Sequence, residues 1–301
     1  MSKIIVPLAL LPPWLLLDPM LQRWLLEDIG RGDRTTQALL SGRSLSGHAT
    51  WVAKEPGIVA GLPMAARVFS LLNQQTTFTA TVAEGKWCDQ GQTIAHIAGP
   101  LDALLTGERV ALNIAMRLSG IATLTQQYVK QIIDLPTQFV DTRKTIPGMR
   151  LLEKYATQAG GAINHRMGLD DSVMIKDNHI AAAGGIGPAI SQIRDRIPYP
   201  LSIEVETESL EQVQEALDCH ADIIMLDNMP LETMRQAVDL IRQGGDRTKI
   251  EASGNITLST IRAVAETGVD YISSSKPITG SSWLDISMRI KQCQKSNASK
   301  L

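Results

Sequence analysis

Hydrophobic and polar positions divide the chain into two regions with different periodicity. Up to about Gly99, short runs with strand-like patterns at 48–54, 76–82 and 93–97 are separated by turn signals. Between the first two runs, residues 63–73 carry apolar side chains at helical spacing. These elements predict a small α+β unit at the start of the chain.

The pattern is helical over residues 101–127 and becomes a repeat of strand and helix after Pro136. The predicted strands of this repeat are residues 138–141, 172–176, 201–205, 222–226, 249–252 and 270–273. The predicted helices include residues 210–217, 231–241 and 258–267. Alternation of β and α predicts a parallel sheet, either closed as a barrel or doubly wound.

Polar residues stand at the end of nearly every predicted strand. They occupy positions 141–144, 176–179, 204–206, 227–228, 253–255 and 273–275. In α/β barrels the active site lies at the C-terminal ends of the strands, whereas a doubly wound sheet gathers its ligands near one switch point. Six strands that end in polar groups therefore favour a barrel with one shared site.

Composition narrows the choice of partners and compartment. The net charge of −2 over 301 residues offers no global excess of Lys and Arg for nucleic acid, although a small anion needs only a local cluster. The three cysteines are far apart and lack C-x-x-C spacing, which is typical of a reducing, cytoplasmic compartment without structural zinc. The apolar run 4–17 is interrupted by Pro7, Pro12 and Pro13, and it is shorter than the roughly 20 residues that span a bilayer. We expect it to be an arm packed on the protein or a partner, with no membrane contact.

Four cations lie at or near the predicted strand ends: Arg143, Lys144, Arg166 and Lys176, with His165 beside Arg166. Arginine offers a forked set of donors that suits carboxylate and phosphate groups, and lysine offers a point charge. Any one of these cations could simply pair with an acid on the surface. Their occurrence on one rim instead predicts an anion-binding site.

Acidic residues follow on the next two strands. Glu204 and Glu206 alternate along one strand and therefore share a face, and Asp227 ends the strand after it. Carboxylates on adjacent strand ends suit Mg²⁺, which prefers oxygen ligands and keeps waters while bound to phosphate. Salt bridges to the cations Arg143, Lys144 or Lys176 are an alternative, and the two uses are compatible.

Two serine-containing turns precede predicted helices. The first contains Ser253 and Gly254, and the second contains Ser274 and Ser275. Such turns cap a helix or bind a phosphate through backbone N–H groups. Because both turns belong to the last strands, where barrels often hold phosphate, phosphate binding is the favoured interpretation.

The chain resembles the quinolinate phosphoribosyltransferase family, the nicotinate-nucleotide pyrophosphorylases. Short motifs carry this resemblance in family order over nearly the whole chain. They are EDIG (27–30) with 32–33 and 35–36, GERVALN (107–113), DTRKTIPG (141–148), NHRMGL (164–169), IKDNH (175–179), EVE (204–206), LDN (226–228) and EASG (251–254).

The resemblance implies an α/β fold, namely an open, incomplete, TIM-like α/β barrel with a smaller N-terminal α+β domain. We expect the N-terminal domain and its dimer-contacting helix over residues 1–119, the catalytic barrel over 120–285, and a C-terminal helix and tail over 286–301. It also implies a homodimer with shared active sites, alone or within a higher oligomer. The implied reaction converts quinolinate and phosphoribosyl pyrophosphate to nicotinate mononucleotide, pyrophosphate and carbon dioxide with Mg²⁺, in NAD biosynthesis.

Site residues follow from the same resemblance, position by position. Arg143, His165, Arg166 and Lys176 match residues that hold carboxylates or phosphates, Lys144 lies near both ligands, and Arg109 reaches into the partner's site. Glu206 and Asp227 match the acids near the ribose and magnesium, and Ser253 and Gly254 match part of the 5′-phosphate cradle. Lys144, Lys176, Glu206 and Asp227 are the predicted catalytic residues. The run 273–281 departs from the family pattern, so Ser274 and Ser275 are expected phosphate contacts by their polarity.

Two alternatives remain open from the sequence. A related phosphoribosyltransferase acting on another anionic aromatic acid, such as nicotinate, would keep the phosphate residues and need fewer cations for carboxylates. A non-catalytic metabolite-binding or carrier protein would bind both ligands without releasing pyrophosphate. The intact set of cations and acids favours the enzyme.

Overall fold

A computed structural model describes residues 9–244 and 247–292, which belong to two compact units. The first unit runs to Thr123, includes Gln158–Gly160 and resumes at Ser281. The second comprises Leu124–Thr157 and Gly161–Gly280. The predicted domain boundary at 119/120 lies a few residues before the observed one, and the predicted end of the barrel at 285 lies a few residues after it.

The first unit contains short strands and helices, as the sequence predicted. Its elements are α1 (Trp14–Ile29), α2 (Arg34–Leu40), β1 (Ser46–Ala53), β2 (Gly57–Ile58), α3 (Leu62–Leu72), β3 (Thr77–Ala80), β4 (Trp87–Cys88), β5 (Thr93–Pro100), the start of α4 (Leu101–Gln131) and the last strand, Ile286–Gln292. The predicted apolar arm begins outside the described residues. Its later part enters α1, where Leu17 is buried, and Leu10 N–H donates to Gln158 Oε1 at 3.3 Å.

Four strands of this unit form an antiparallel sheet in the order Ile286–Gln292, β1, β5 and β3. Trp51 on β1 is fully buried and packs edge-on against Phe69 and Phe78. The helix predicted for 286–301 is therefore wrong over Ile286–Gln292, and the rest of that segment lies outside the described residues. The apolar positions 286, 288 and 290 alternate with polar ones, which is the period of a strand.

Helix α4 continues without interruption through Gly120, so the glycine marks a close approach and no break. A Cβ atom at this position would come within 1.9 Å of the carbonyl oxygen of Ser282. Leu284 N–H donates to the carbonyl oxygen of Met116 at 3.0 Å, two residues further along the same segment. Glycine is thus the residue that lets the 282–284 segment lie directly on the helix backbone.

The second unit alternates strands and helices. Its elements are β6 (Gln138–Val140), α5 (Arg150–Ala159), β7 (Val173–Ile175), α6 (Asp177–Ala183), α7 (Ile186–Arg194), β8 (Ile203–Thr207), α8 (Leu210–Asp218), β9 (Ile223–Asp227), α9 (Leu231–Gln243), β10 (Lys249–Ser253), α10 (Ile261–Ala265), β11 (Tyr271–Ser273) and α11 (Lys276–Thr279). The last strand of the first unit, Ile286–Gln292, is β12. All six predicted strands are present, with bounds shifted by no more than two residues.

The six strands form one parallel sheet in the order β6-β11-β10-β9-β8-β7. This is the cyclic order of a barrel, opened between β6 and β7, since no ladder joins those two among the described strands. The predicted open, incomplete barrel is confirmed, and the doubly wound alternative is excluded because the order never reverses. The carboxyl ends of all six strands consequently lie on one edge.

Apolar side chains from the strands and the surrounding helices form the core of this unit. Ile175, Val205, Ile224, Ile250 and Ile272 belong to five of the strands and are fully buried within it. No helix in the described part of the chain is both long and apolar enough to cross a membrane.

Candidate active site

A cavity of about 300 Å³ lies at the carboxyl edge of the sheet, within the second unit. Seven of the predicted site residues line it: Arg143, Lys144, His165, Arg166, Lys176, Glu206 and Ser253. The remaining lining residues are Thr142, Met174, Met225, Glu251 and Ser273. The structure thus brings together residues from five of the six predicted strand ends, whereas β9 contributes Met225 from inside the strand and not its predicted end at 227–228.

Asp141 organises the loops on one side of this cavity. Its buried carboxylate contacts the ammonium group of Lys154 and accepts from the hydroxyl of Thr157 at 2.8 Å and the side-chain amide of Asn164 at 2.6 Å. The backbone N–H of His165 donates to the same carboxylate at 2.9 Å. Asp141 directly precedes the cations of the 142–144 loop, so one buried acid fixes both this loop and the 164–166 segment.

Arg143 and Arg166 both line the cavity, and their surroundings favour an anionic ligand. The Nε–H of Arg143 is buried and has no hydrogen-bond partner among the described residues, although Arg143 lines the cavity. Arg166 donates through Nη1 to the carbonyl oxygen of Ser172 at 2.7 Å. Burial lowers the pKa of Arg166, and the adjacent guanidinium of Arg143 lowers it further. An anionic ligand would accept a hydrogen bond from the buried Nε–H of Arg143. Its negative charge would also reduce the repulsion between the two guanidinium groups.

Lys176 follows β7 and contacts Oε1 of Glu206, which lies on the adjacent strand β8. This ion pair confirms one of the salt bridges that the sequence offered as an alternative use of Glu206. The Lys176 side chain remains 42% exposed, so it can still reach a ligand in the cavity. His179, at the start of α6, accepts the backbone N–H of Lys176 at 3.0 Å through Nδ1 and thus caps the helix.

Glu204 on β8 and Glu251 on β10 are both buried, and Glu251 lines the cavity. Their Oε2 atoms lie 3.3 and 3.4 Å from Nε2 of His165. Burial raises the pKa of Glu204, and the hydrogen bond from His165 opposes that rise. Burial lowers the pKa of His165, but the hydrogen bonds to the two acids outweigh it and raise that pKa to about 10.

The same three side chains could hold a metal ion on distance alone, since one potential ligand atom from each lies within 4.8 Å of the others. The second nitrogen of the imidazole argues for a proton instead. Nδ1 of His165 accepts the backbone N–H of Arg166 at 2.7 Å, so its lone pair is occupied. A neutral ring whose Nδ1 is an acceptor carries its proton on Nε2, and that nitrogen then has no lone pair for a metal.

The raised pKa of His165 and the hydrogen bond at Nδ1 favour different protonation states of the ring. The acids favour the doubly protonated ring, whereas the N–H of Arg166 opposes a proton on Nδ1. The neutral and the doubly protonated ring both carry a proton on Nε2, the nitrogen that faces the two acids. Glu206 and Asp227, for which the sequence predicted a metal, lie on the neighbouring strands β8 and β9.

Asp227 ends β9 and pairs in register with Ser253 at the end of β10. It is not among the lining residues, and its Oδ2 accepts from the amide of Asn228 at 3.0 Å. Gly254 has a φ of +94°, and a Cβ there would come within 2.2 Å of Oδ1 of Asn228. Only glycine fits this turn, which accounts for Gly254 by backbone geometry.

The serines after β11 differ in position. Ser273, the last residue of the strand, lines the cavity. Ser274 is buried, and its hydroxyl accepts the N–H of Lys276 at 3.3 Å, while Ser275 is the N-cap residue of α11. Their predicted contacts with phosphate stay predictions.

Glu251, Met174 and Met225 were missed by the sequence reasoning. Glu251 and Met225 are register partners on β10 and β9, and Met174 pairs with Glu204 across β7 and β8. All three lie inside strands, where the search for polar residues at strand ends did not look. The two methionines give the cavity an apolar surface that suits a flat ring.

Arg109 lies on α4 in the first unit and is exposed. Burial raises the pKa of its neighbour Glu108, and Arg109 opposes that rise. Among the described residues, no hydrogen bond to the Arg109 guanidinium is found. It therefore presents an accessible positive charge on an otherwise well-packed helix.

Sequence and structure comparisons agree over almost the whole chain. Residues 33–119 match the model of the quinolinate phosphoribosyl transferase N-terminal domain, and residues 121–289 match that of the C-terminal domain. A probable nicotinate-nucleotide pyrophosphorylase (carboxylating) from Synechocystis is 60% identical over 284 residues, covering 94% of this chain and 96% of the relative.

Solved structures show the same similarity. NadC from Streptococcus pyogenes superimposes with a TM-score of 0.90 at 40% identity, covering 95% of this chain and 100% of that one. The nicotinate-nucleotide pyrophosphorylase from Francisella tularensis gives a TM-score of 0.87 at 35% identity, with coverages of 93% and 98%.

Proposed function

This chain belongs to the quinolinate phosphoribosyltransferase family, and on that premise we propose that it transfers a phosphoribosyl group to quinolinate with loss of carbon dioxide. The products are nicotinate mononucleotide, pyrophosphate and carbon dioxide, and the step belongs to NAD biosynthesis. The observation that carries the proposal is the pair Arg143 and Arg166 in the cavity, with a buried Nε–H on Arg143 that lacks a partner. Such a pair needs a strongly anionic ligand, and both substrates are highly charged.

Most residues that line the cavity are assigned to binding the two substrates. Arg143 and Arg166 hold the carboxylates of quinolinate, with the apolar surfaces of Met174 and Met225 beside its ring. Lys144 and Lys176 face the pyrophosphate part of the second substrate. Fixing two anions side by side removes the entropic cost of their encounter, which is a large part of the barrier for a bimolecular step.

The reaction proceeds because the side chains of the cavity stabilise the charges that develop on the leaving group and on the ribose. The bond between ribose C1 and the pyrophosphate oxygen breaks, and the lysine and arginine charges stabilise the departing anion. The ring nitrogen of quinolinate then forms its bond to C1, and Glu206 orients the ribose hydroxyls. The bond between ring carbon C2 and its carboxylate then breaks and carbon dioxide leaves, while the electron pair stays on C2, where the adjacent positive nitrogen stabilises it. A proton from solvent adds to C2 and completes the product. No strong general base is required.

Mg²⁺ fits the donor set at the same edge. Glu206 and Asp227 are oxygen ligands on adjacent strands, both are only partly buried, and neither belongs to the histidine cluster. These two residues would hold the ion, which when bound offsets pyrophosphate charge. Ser253, Gly254 and the serines after β11 would form the 5′-phosphate cradle.

A homodimer with shared active sites is part of this proposal, alone or within a higher oligomer. The exposed Arg109 is the residue through which one subunit would complete the other's cavity. We also place the enzyme in the cytoplasm, which is supported by the free thiols of Cys88 and Cys219.

The test is an assay with quinolinate and phosphoribosyl pyrophosphate in which carbon dioxide and pyrophosphate are both measured. We expect the two products in equal amounts. Pyrophosphate without carbon dioxide, with nicotinate as the better acceptor, would assign the related transferase activity instead. Tight binding of both substrates by calorimetry without either product would indicate a binding protein.

A further inference from the structure

Glu204 and Glu251 have no role in the proposed chemistry, yet they are among the most buried charged groups in the described chain. Glu204 is 1% exposed and Glu251 is 4% exposed. Each uses Oε2 for His165, and Oε1 of each is buried without a hydrogen-bond partner in the part of the chain that the structure describes. Burying two carboxylates is costly, so their retention beside an anion-binding cavity requires a compensating function.

His165 is the group that links these acids to the cavity. Its ring lines the cavity, its Nε2–H lies between the two carboxylates, and its Nδ1 accepts the N–H of Arg166. The orientation of the ring is therefore coupled to the backbone of Arg166, one of the two arginines that meet the substrate.

The 164–166 segment is held independently through its backbone. Asp141 accepts the N–H of His165, and the ammonium group of Lys154 donates to the carbonyl oxygen of His165 at 2.8 Å. These contacts fix where the segment runs and do not involve the imidazole. Within the described residues, the ring is oriented by the N–H of Arg166 on Nδ1 and by Glu204 and Glu251 on Nε2.

We propose that Glu204 and Glu251 are positioning residues that hold the Nε2–H of His165 and thereby fix the His165–Arg166 corner of the anion site. The inference rests on the proposed binding of quinolinate in this cavity. It deepens that function by assigning the residues that orient the substrate-binding side chains.

The proposal predicts an effect opposite in sign to simple electrostatics. Removing a negative charge near an anion site, by itself, strengthens anion binding and lowers the KM for quinolinate. Loss of positioning weakens binding and raises that KM. Substitution of either acid by methionine, which is similar in size and apolar, separates the two effects.

The experiment compares Glu204→Met and Glu251→Met with Glu204→Gln and Glu251→Gln. Glutamine keeps an oxygen acceptor for Nε2–H and removes only the charge. We expect each methionine variant to raise the KM for quinolinate by about tenfold or more, as is typical when a residue that orients a ligand-binding histidine is lost. The KM for phosphoribosyl pyrophosphate should change less, and the glutamine variants should retain most of the affinity. Glu208→Met, at an exposed position just after β8, is the matched control.

A direct readout comes from ¹⁵N-labelled histidine. The chain has five histidines, and the His165 signals are identified by their loss in His165→Gln. We expect a protonated Nε2 in the wild type and the glutamine variants, and a changed Nε2 signal in the methionine variants. If the methionine variants fail to fold, the wild-type and glutamine spectra still decide whether Nε2 carries the proton.

An unchanged or lowered KM for quinolinate in the folded methionine variants would overturn the proposal, as would an unprotonated Nε2 in the wild type. Absence of quinolinate turnover in the wild type would refute the proposed function instead, and the NMR result would still judge the role of the two acids. A metal ion bound by His165, Glu204 and Glu251 would shift the His165 signals when a chelator removes it. That result would also contradict the proposal, because a metal on Nε2 would replace the proton that the two acids hold.

Discussion

The ammonium group of Lys154 is completely buried and contacts Oδ1 of Asp141, directly before the cation-bearing loop of the active site. Burial lowers the pKa of Lys154, and the carboxylate of Asp141 opposes that change. The contact with Asp141 therefore offsets part of the cost of burying the ammonium group of Lys154. Disturbing either partner should affect stability and the site together.

Asp141→Asn should destabilise the protein by roughly 3–5 kcal/mol, because it leaves a buried cation without its counter-charge. The free energy of unfolding from urea denaturation measures this effect. Asp134→Asn is the control, since Asp134 is exposed and pairs with Arg262 at the surface, where little should change. The double variant Asp141→Asn with Lys154→Met should recover part of the loss, and an equal loss in all variants would contradict a buried ion pair.

Arg143→Ala and Arg166→Ala should each lower kcat/KM for quinolinate by roughly 10²- to 10³-fold or more, since each removes a charged donor from the anion site. The circular dichroism spectrum should stay that of the wild type. Arg235→Ala, on the exposed face of α9, serves as the control. Normal turnover by either folded variant would refute the assignment of this cavity.

Mixed dimers test whether Arg109 acts across a subunit interface. Arg109→Ala and Arg166→Ala should each be inactive alone, but heterodimers of the two contain one cavity with both arginines intact. We expect about half of the wild-type activity per heterodimer, because one of its two cavities is intact. Lack of recovery in heterodimers proven by two affinity tags would place both arginines in one subunit's site.

The serines after β11 should separate by role. Ser273→Ala removes a hydroxyl from the cavity and should raise the KM for phosphoribosyl pyrophosphate by about tenfold, because a hydrogen bond to a charged group contributes about 1.5–3 kcal/mol. Ser274→Ala removes the buried contact with Lys276 N–H and should lower stability more and this KM less. The opposite ranking would assign the phosphate to Ser274.

Metal removal tests the acids at the ends of β8 and β9. EDTA should abolish turnover and Mg²⁺ should restore it, while Glu206→Gln and Asp227→Asn should raise the Mg²⁺ concentration for half-maximal activity by roughly tenfold, since each loses an oxygen ligand charge. Glu208→Gln, whose side chain is exposed, is the control. Full activity in EDTA would show that these acids serve only the ribose and Lys176.

Strand ends could be predicted from the sequence because polar residues interrupt buried strands there, and this is why Arg143, Lys176 and Ser253 were found. Residues inside the strands could not be found in this way. Strands buried on both faces have near-continuous apolar runs, so their sequence does not reveal that Met174 and Met225 face the cavity. Glu251 stands out in such a run, but its partner His165 is distant in sequence, and only the fold brings them together.

Two other differences have simpler causes. The choice between Ser273 and Ser274 depends on where β11 ends, and a shift of one residue exchanges the face on which a side chain lies. The helix expected for 286–301 was contradicted by β12, whose alternating positions were visible but whose partner β1 lies more than 200 residues away. Pairing at that distance leaves no local signal.

The pairing of β12 with β1 also determines the order in which the two units can finish folding during synthesis. Strand β1 is central in its sheet, between β5 and β12, but β12 leaves the ribosome only after the whole second unit has been made. Until then β1 has an open edge, which is the kind of surface that recruits other nascent chains. The open barrel can therefore finish folding first, and the N-terminal sheet stays incomplete until the last strand of the described chain arrives.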